Sequence, residues 1–466
     1  MEWDDVVYLC LLFASVASGY VVRQVEDKER RKWLSSGLGF LLVFIVSGRH
    51  ILHPIICTLV NAFVIILADR RKCHIVSFVF TFAYLFFFRM TEFFGIPYPP
   101  AHTNLVQMMV TLKVVGLAFE VHNTARHKRG DGNSAAVQEL EAAEVHPSFV
   151  DVFHYTFCYV GIMTGCPYYT YRTYCDWLDY PFMSYAPCKS ATVQKMKYVP
   201  MYAVFFLIAS FICPLKYAES EEFYNERSLL YRIWYITPTF FIFRMRLYVG
   251  MVLSECICTM AGFGAYPEFT EPSSGHGPTK EFSKLKEIAS NPVLARKETY
   301  SFETIHNIDP YGSDFVPTFR GGIKCWNMCV QYWLAVNVYK RLPRNQFRSL
   351  ITMTVSSIWH GVYAGYYLCL MSAPMYLPVE DVYVKIRKGT TGLEAKAWDF
   401  FLWFFKMQAF SYMAIAFLLL RIDLTFKYWS SIYFAGHIFG VILFVVGILK
   451  DYGKQRVQVI KSNLPS

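Results

Sequence analysis

The sequence predicts an all-α protein that crosses a membrane many times. Hydrophobic residues make up 55% of the 466-residue chain and aromatic residues 18%, while charged residues fall to 17%, against roughly a quarter in a soluble domain. The apolar residues are gathered into long runs, several of which approach the ~20 residues a helix needs to span a bilayer. These runs lack the alternating segments of about ten residues that mark a transmembrane barrel. With so little polar surface available, the core must be shared with lipid.

The elements follow in order. The run at 6–22 has no basic flank before it and is followed by a charged turn rather than a small-residue cleavage site, so it reads as a retained span and not a signal peptide. Runs at 33–48, 51–68, 75–88 and 103–120 come next, then 150–164, 198–215, 229–243 and 247–264, and finally 326–339, 349–377, 398–420 and 428–449. Several are too short or too interrupted to span. About eleven crossings plus one or two re-entrant segments are expected, because broken backbone is tolerated at membrane depth only where protein covers it or a cavity lies beside it. Residues 1–450 read as one multi-span domain and 451–466 as a basic tail. Two polar loops, 122–149 and 265–298, interrupt the pattern, the second with the Gly, Pro and Ser content of a connector.

A net charge of +10 would suggest nucleic acid in a soluble protein. Here the cations sit in short loops: Lys28, Arg30, Arg31 and Lys32, then Arg70, Arg71 and Lys72, then Arg126, Lys128 and Arg129. The intervening loops are much less basic. Positive loops favour the cytosol, which puts the acidic N-terminus (Glu2, Asp4, Asp5) in the lumen. The tail with Lys450, Lys454, Arg456 and Lys461 is then cytosolic, and the number of crossings is odd. The 13 cysteines are scattered, and Cys256/Cys258 and Cys325/Cys329 come closest to pairing. No metal site is expected from such spacing, and small buried hydrophobes are the plainer reading. No internal repeat is visible, which counts against a transporter.

Chemistry is concentrated in two places. Between Arg348 and Glu380 there is no Asp, Glu, Lys or Arg, and His360 lies in that run between Trp359 and Gly361. A titratable imidazole at membrane depth is by default a functional-site hypothesis, and imidazole is the usual general base near neutral pH. On spacing alone, a lone histidine in an apolar helix is more often a packed core residue. The charge-free run is longer than one membrane crossing requires, so its helix should tilt or end near Pro374. The second place is Arg320 to Trp333. Trp326, Val330, Trp333 and Leu334 fall there at helical spacing, and Asn327, Gln331 and Asn337 interrupt the apolar sequence. A buried asparagine can orient a hydroxyl or donate to an oxyanion, or it can simply join helices.

The pair Trp326-Asn327 with Trp359-His360-Gly361, late in a many-span chain, resembles the signature of membrane-bound O-acyltransferases. Further blocks resemble the lysophosphatidylinositol acyltransferase branch of that family: Gly161 to Gly165, Tyr171-Arg172-Thr-Tyr174-Cys-Asp176-Trp177, Phe243-Arg244-Met-Arg246, Ala261 to Pro267, Glu303 to Asp309, and Trp326 to Gln331. They span most of residues 75–435. One departure is Cys166, which separates Gly165 from Pro167 where the branch has Gly directly before Pro.

The resemblance implies a chamber within the membrane in which a fatty acyl group, polyunsaturated in this branch, passes from acyl-coenzyme A to the sn-2 hydroxyl of lysophosphatidylinositol. His360 matches the family's catalytic histidine and Asn327 its motif asparagine, with Trp326, Gln331 and Trp359 as neighbouring candidates for substrate contact. Arg172, Arg244 and Arg246 could meet an anionic head group, or could pair with Glu255 or Asp176. Arg320, Lys324, Lys340 and Arg341 flank the asparagine segment and could hold coenzyme A phosphates, or could serve only as positive-inside anchors. No metal or cofactor is implied, acyl-coenzyme A being a co-substrate. The expected setting is the endoplasmic reticulum membrane. Another acyl acceptor on the same fold, or a transporter with His360 as proton relay, are the alternative readings.

Overall fold

Lipid offers no hydrogen bonds, so an apolar run within it must satisfy its own backbone, and helix is the form that does so. The computed structural model describes residues 3–128, 144–164, 167–345 and 347–462, and regular structure there is overwhelmingly helical. The β structure among these residues is a short antiparallel ladder, Tyr266 opposite Ser301 and Pro267 opposite Tyr300, with one isolated bridge between Ser273 and Gly277. Gly165 and Cys166, where the family blocks diverge, lie outside the described residues, as does Arg129.

Among the described residues, five helical stretches are long and apolar enough to cross a membrane: Asp5–Arg23, Lys28–Leu67, Ala101–Lys128, Cys188–Glu219 and Gly392–Leu419. Ile422–Ser431 with Ala435–Lys450, bent by 60°, would make a sixth. The other apolar runs form helices that are shorter, such as Cys73–Phe88, or that carry proline and charge, such as Leu229–Met260 and Ala364–Lys388. The figure of about eleven crossings therefore stays an expectation.

The chain packs as two compact units interleaved in sequence: 1–201, 248–308 and 327–343 in the first, and 202–247, 309–326 and 344 onward in the second. In the first unit, Leu52–Leu67 and Cys73–Phe88 pack on the deeply buried helix Ala101–Lys128. The run at 150–164 forms only the helix Phe149–Thr156, after which Phe157 to Met163 run as irregular, buried backbone. Gly39 admits this segment, since a Cβ there would fall 1.9 Å from the Phe157 carbonyl oxygen. Tyr159 N–H donates to the Ser35 carbonyl at 3.1 Å. Lys113, fully buried on Ala101–Lys128, donates to the carbonyls of Tyr155 (3.2 Å) and Thr156 (3.5 Å) and to Tyr169 Oη (2.8 Å). A helix C-terminus presents such unpaired carbonyls and partial negative charge, and a cation there is stabilising.

Carboxylates do the converse at N-termini. Glu120 accepts from the N–H groups of Tyr171 (2.9 Å) and Arg172 (3.2 Å), which open the helix Tyr171–Asp179. Glu255, held by Lys195 at 2.5 Å, instead accepts from Asn307 (2.7 Å) and Ile308 (3.0 Å) in the irregular backbone before Pro310.

The second unit repeats the device. Buried Lys406 donates to the carbonyls of Ser313 (2.8 Å), Asp314 (3.0 Å) and Val316 (2.7 Å) around the end of Pro310–Phe315. Glu380 accepts from Phe319 and Arg320 at the start of Phe319–Lys324. Its core has two clusters, one around Tyr235, Tyr412, Tyr428 and Trp429, the other around Phe319, Tyr376, Leu402 and Phe405. These charges, which by sequence alone would each suggest a functional site, satisfy backbone instead: Lys113, Glu120, Lys406 and Glu380 at the ends of short helices, and Glu255 in the irregular segment at Asn307 and Ile308.

Three sequence expectations are corrected. The runs at 229–243 and 247–264 are one helix, Leu229–Met260, with Pro238 inside it; the cations between the runs do not end it, because Arg244 pairs with Asp314. The helix expected over 326–339 begins at Met328, so Trp326 is not on its face. The run at 349–377 is two helices, Arg348–His360 and Ala364–Lys388, and the second passes through Pro374 and Pro378 without ending. The break falls at Gly361, where the chain turns so that Gly365 N–H reaches the Leu420 carbonyl at 2.8 Å. At ~1.5 Å per residue the first of these helices measures about 20 Å, short of a ~30 Å hydrocarbon core.

Candidate active site

His360 is the last residue of its helix, not a residue in mid-span. Trp359 beside it is buried at 4% exposure, while the imidazole itself is half-buried. The ring meets aromatic edges on three sides: Trp359 at 4.9 Å and Phe417 at 5.2 Å between centroids, both T-shaped, and Tyr366 at 5.9 Å. Phe417 and Tyr366 pack on each other at 4.7 Å. These aromatic contacts pack around an imidazole that remains half-buried at the helix end. All of these residues belong to the second unit.

Asn327 belongs to the first unit and is the residue before Met328–Asn337. It has φ 52° and ψ 47°, a left-handed conformation that asparagine tolerates better than other side chains. Its carbonyl accepts from Val330 (3.1 Å) and Gln331 (3.0 Å), starting the helix. Its side-chain Oδ1 is buried with no hydrogen-bond partner among the described residues. An unusual backbone conformation with an unsatisfied buried acceptor is a pattern that clusters at functional sites. Gln331 lies one turn further on and is half-buried, and Trp326, on the other side of Asn327, stacks loosely on Phe243 at 6.5 Å.

The chain belongs to the membrane-bound O-acyltransferase family. The family's model matches residues 6–421. The chain is 43% identical to the membrane-bound acylglycerophosphatidylinositol O-acyltransferase frj of Drosophila melanogaster, over 94% of this chain and 91% of that protein. It is 39% identical to the mboat7 protein of the same description in Xenopus laevis and 37% identical to the MBOAT7 protein of that description in Homo sapiens, each over 96% of this chain and 94% of the relative.

The remaining candidates of this O-acyltransferase fall into different environments. Arg172 is largely enclosed: its Nε lies 3.8 Å from Asp176 and its guanidinium sits 5.0 Å over the Phe282 ring. Asp176 also accepts from Tyr266 Oη at 2.7 Å. Burial pushes the Asp176 carboxyl up to about 6, against the opposing pull of Arg172 and Tyr266. Arg244 is buried at 5% exposure, pairs with Asp314 and lies over Phe240, whereas Arg246 is exposed. Arg172 thus has the Asp176 partner foreseen from sequence, and Arg244 has an acid that was not.

Arg320 is bidentate on Asp381 (2.9 and 3.1 Å). Arg341 donates to Asn123 Oδ1 (2.9 Å) and the Val336 carbonyl (3.2 Å), over the Phe119 ring. Lys324 and Lys340 are exposed. Among the described residues, no group of three or more His, Cys, Asp or Glu is placed to hold a metal ion.

The Glu303 to Asp309 block, given no role from sequence, holds the first residues after Asn327. His306 is bracketed by Glu303 (3.0 Å) and the Ile308 carbonyl (3.1 Å). Burial opposes its charge, but the bond to Glu303 and the field of Glu255 prevail and raise its pKa. Next to it, Asn307 accepts from Met328 N–H through its carbonyl at 2.7 Å and from Cys329 N–H through Oδ1 at 3.2 Å. The Glu303 to Asp309 block was visible as family resemblance, but nothing in its spacing said what it touches.

Proposed function

We propose that this enzyme is a lysophosphatidylinositol acyltransferase that moves a fatty acyl group, polyunsaturated by preference, from acyl-coenzyme A to the sn-2 hydroxyl of lysophosphatidylinositol, remodelling phosphatidylinositol in the endoplasmic reticulum membrane. The observation that carries the reading is near-full-length similarity to relatives named as acylglycerophosphatidylinositol O-acyltransferases, at least 91% of each chain being covered. His360 accepts the hydroxyl proton while the oxygen attacks the thioester carbonyl. As the ester C–O bond forms and the C–S bond breaks, coenzyme A leaves as the thiolate and takes the proton back from the imidazolium. Asn327 orients the hydroxyl or the developing oxyanion, and holding both substrates together supplies the orientational advantage. Acyl transfer is redox-neutral and draws on no cofactor.

Both reacting centres carry acyl chains, while coenzyme A is a soluble polyanion. A chamber open to lipid on one side and to cytosol on the other meets both needs. Of the cations near the asparagine segment, Lys324 and Lys340 are the more available to coenzyme A phosphates, because Arg320 and Arg341 are engaged by protein groups. Arg172 and Arg244, paired with Asp176 and Asp314, are the less available to an inositol phosphate head group.

The test is purified protein with acyl-coenzyme A and a panel of lysophospholipids, followed by thiol release. Turnover highest with lysophosphatidylinositol, and lost in a folded His360→Ala variant, is the expected result. A different preferred acceptor overturns the substrate assignment, and wild-type turnover by His360→Ala overturns the general base.

A further inference from the structure

Asn307 is fully buried, and its hydrogen bonds assign its amide. The atom that faces Cys329 N–H at 3.2 Å must be an acceptor, so it is Oδ1, and the other terminal atom is the Nδ2 donor. That Nδ2 is buried and has no hydrogen-bond partner among the described residues. Asn327 Oδ1, one residue before the backbone that Asn307 grips, is in the same position. A donor and an acceptor are thus left unsatisfied on two residues of one unit, Asn307 and the residue just before the Met328 N–H that Asn307 accepts from, and leaving such buried groups unpaired is costly. Buried groups left in this way call for an explanation. A hydroxyl, which accepts on its lone pairs and donates its proton, has the chemistry to meet both kinds of group.

The surroundings brace the pair. Lys195 holds Glu255, Glu255 holds the backbone N–H groups of Asn307 and Ile308, and Asn307 holds those of Met328 and Cys329. This relay of bonds ends on the N–H groups of the two residues that follow the left-handed Asn327. We propose that Asn307 and Asn327 form a single hydroxyl-binding pair for the acyl acceptor, Asn307 supplying the donor and Asn327 the acceptor. The inference rests on the acyltransferase reading above and extends it to a residue that lies in a block of family resemblance but was given no role there.

Asn307→Asp is the informative substitution, because it keeps an oxygen for Cys329 N–H and removes the Nδ2 donor; Asn307→Ala removes both. Each variant is purified, checked for monodispersity and melting temperature, and assayed with the acceptor and acyl-coenzyme A varied in turn. The expected result for Asn307→Asp is a fall of about tenfold to a hundredfold in kcat/KM for the lysophospholipid, the size that misplacement by ~1 Å produces, with KM for acyl-coenzyme A unchanged. Relative to wild type at each pH, activity of Asn307→Asp rises as the pH is lowered, because the protonated carboxyl donates again, while Asn307→Ala shows no such recovery.

Wild-type acceptor kinetics in both variants would overturn the proposal, as would a pH-independent loss shared equally by both substrates. Failure of both variants to give folded protein would assign Asn307 to the fold instead. Inactive wild-type protein with every lysophospholipid would sink the acyltransferase reading itself, whereas active wild type with unaffected variants sinks only the hydroxyl pair.

Discussion

Gly365→Ala tests whether the break after His360 serves catalysis. A Cβ at this position would fall 2.0 Å from the Ala416 carbonyl oxygen and 2.8 Å from the Leu420 Cα and carbonyl oxygen. All three are backbone atoms and cannot rotate away. Carbon and a carbonyl oxygen approach to about 3.3 Å at closest, so the start of Ala364–Lys388 must move off Gly392–Leu419 by about 1.3 Å. Phe417 follows Ala416, and Tyr366 follows Gly365. The displacement therefore opens the Tyr366–Phe417 contact, now 4.7 Å, and the Phe417–His360 contact, now 5.2 Å. Overpacking of this kind costs about 1–3 kcal/mol, which a folded protein tolerates. A shift of ~1 Å at a catalytic group, in contrast, costs about a hundredfold in rate.

The assay is kcat from thiol release at saturating substrates, with a melting curve in detergent. Gly250→Ala is the control, since a Cβ there meets nothing within 4 Å. A folded Gly365→Ala enzyme with kcat down by about a hundredfold is the expected outcome. Wild-type turnover would show that the two helices can separate without moving His360, and the argument that the break positions the imidazole would fail.

Lys406→Met should destabilise by about 3–5 kcal/mol, since it strips one buried donor group from three carbonyls; Lys427→Met, which removes an exposed pair with Glu221, should change melting by less than about 1 kcal/mol. Asp176 yields a pH signature. Its carboxyl is raised from 3.8 to about 6, so the folded state binds this proton more tightly than the unfolded chain. The stabilisation from that proton is present at low pH and is lost as the pH rises from about 4 to 6. Wild type should therefore lose stability relative to Asp176→Asn across that window and keep a constant difference above it, which melting at a series of pH values checks. The topology makes a separate claim: on sealed microsomes, a tag at the N-terminus should resist added protease and one at the C-terminus should be cleaved.

Much of the fold was legible because lipid allows few choices. Long apolar runs must be helices, and Ala101–Lys128 and Gly392–Leu419 appear close to where hydropathy placed them. Element ends were less legible, since they depend on partners distant in sequence. The helix of His360 ends where Gly365 meets Leu420, and Met328–Asn337 starts where Asn307 grips its first N–H groups. Lys113, Glu255 and Lys406 were visible as charges within apolar runs. Only their partners reveal that Lys113 and Lys406 end other helices and that Glu255 holds the irregular backbone at Asn307 and Ile308.

The sequence by itself determined the class of the molecule, because composition and run length decide whether a chain can live in lipid. It also singled out His360 and Asn327, because few polar side chains are tolerated there and these two stand in recognisable blocks. Tertiary structure decided that His360 sits at a helix end against an aromatic wall, and that Asn327 is left-handed with an unsatisfied oxygen. It also brought in Asn307, twenty residues upstream. The physical reason is that a hydrogen bond or a steric stop depends on which backbone lies across from a residue, and no local pattern encodes what lies across from it.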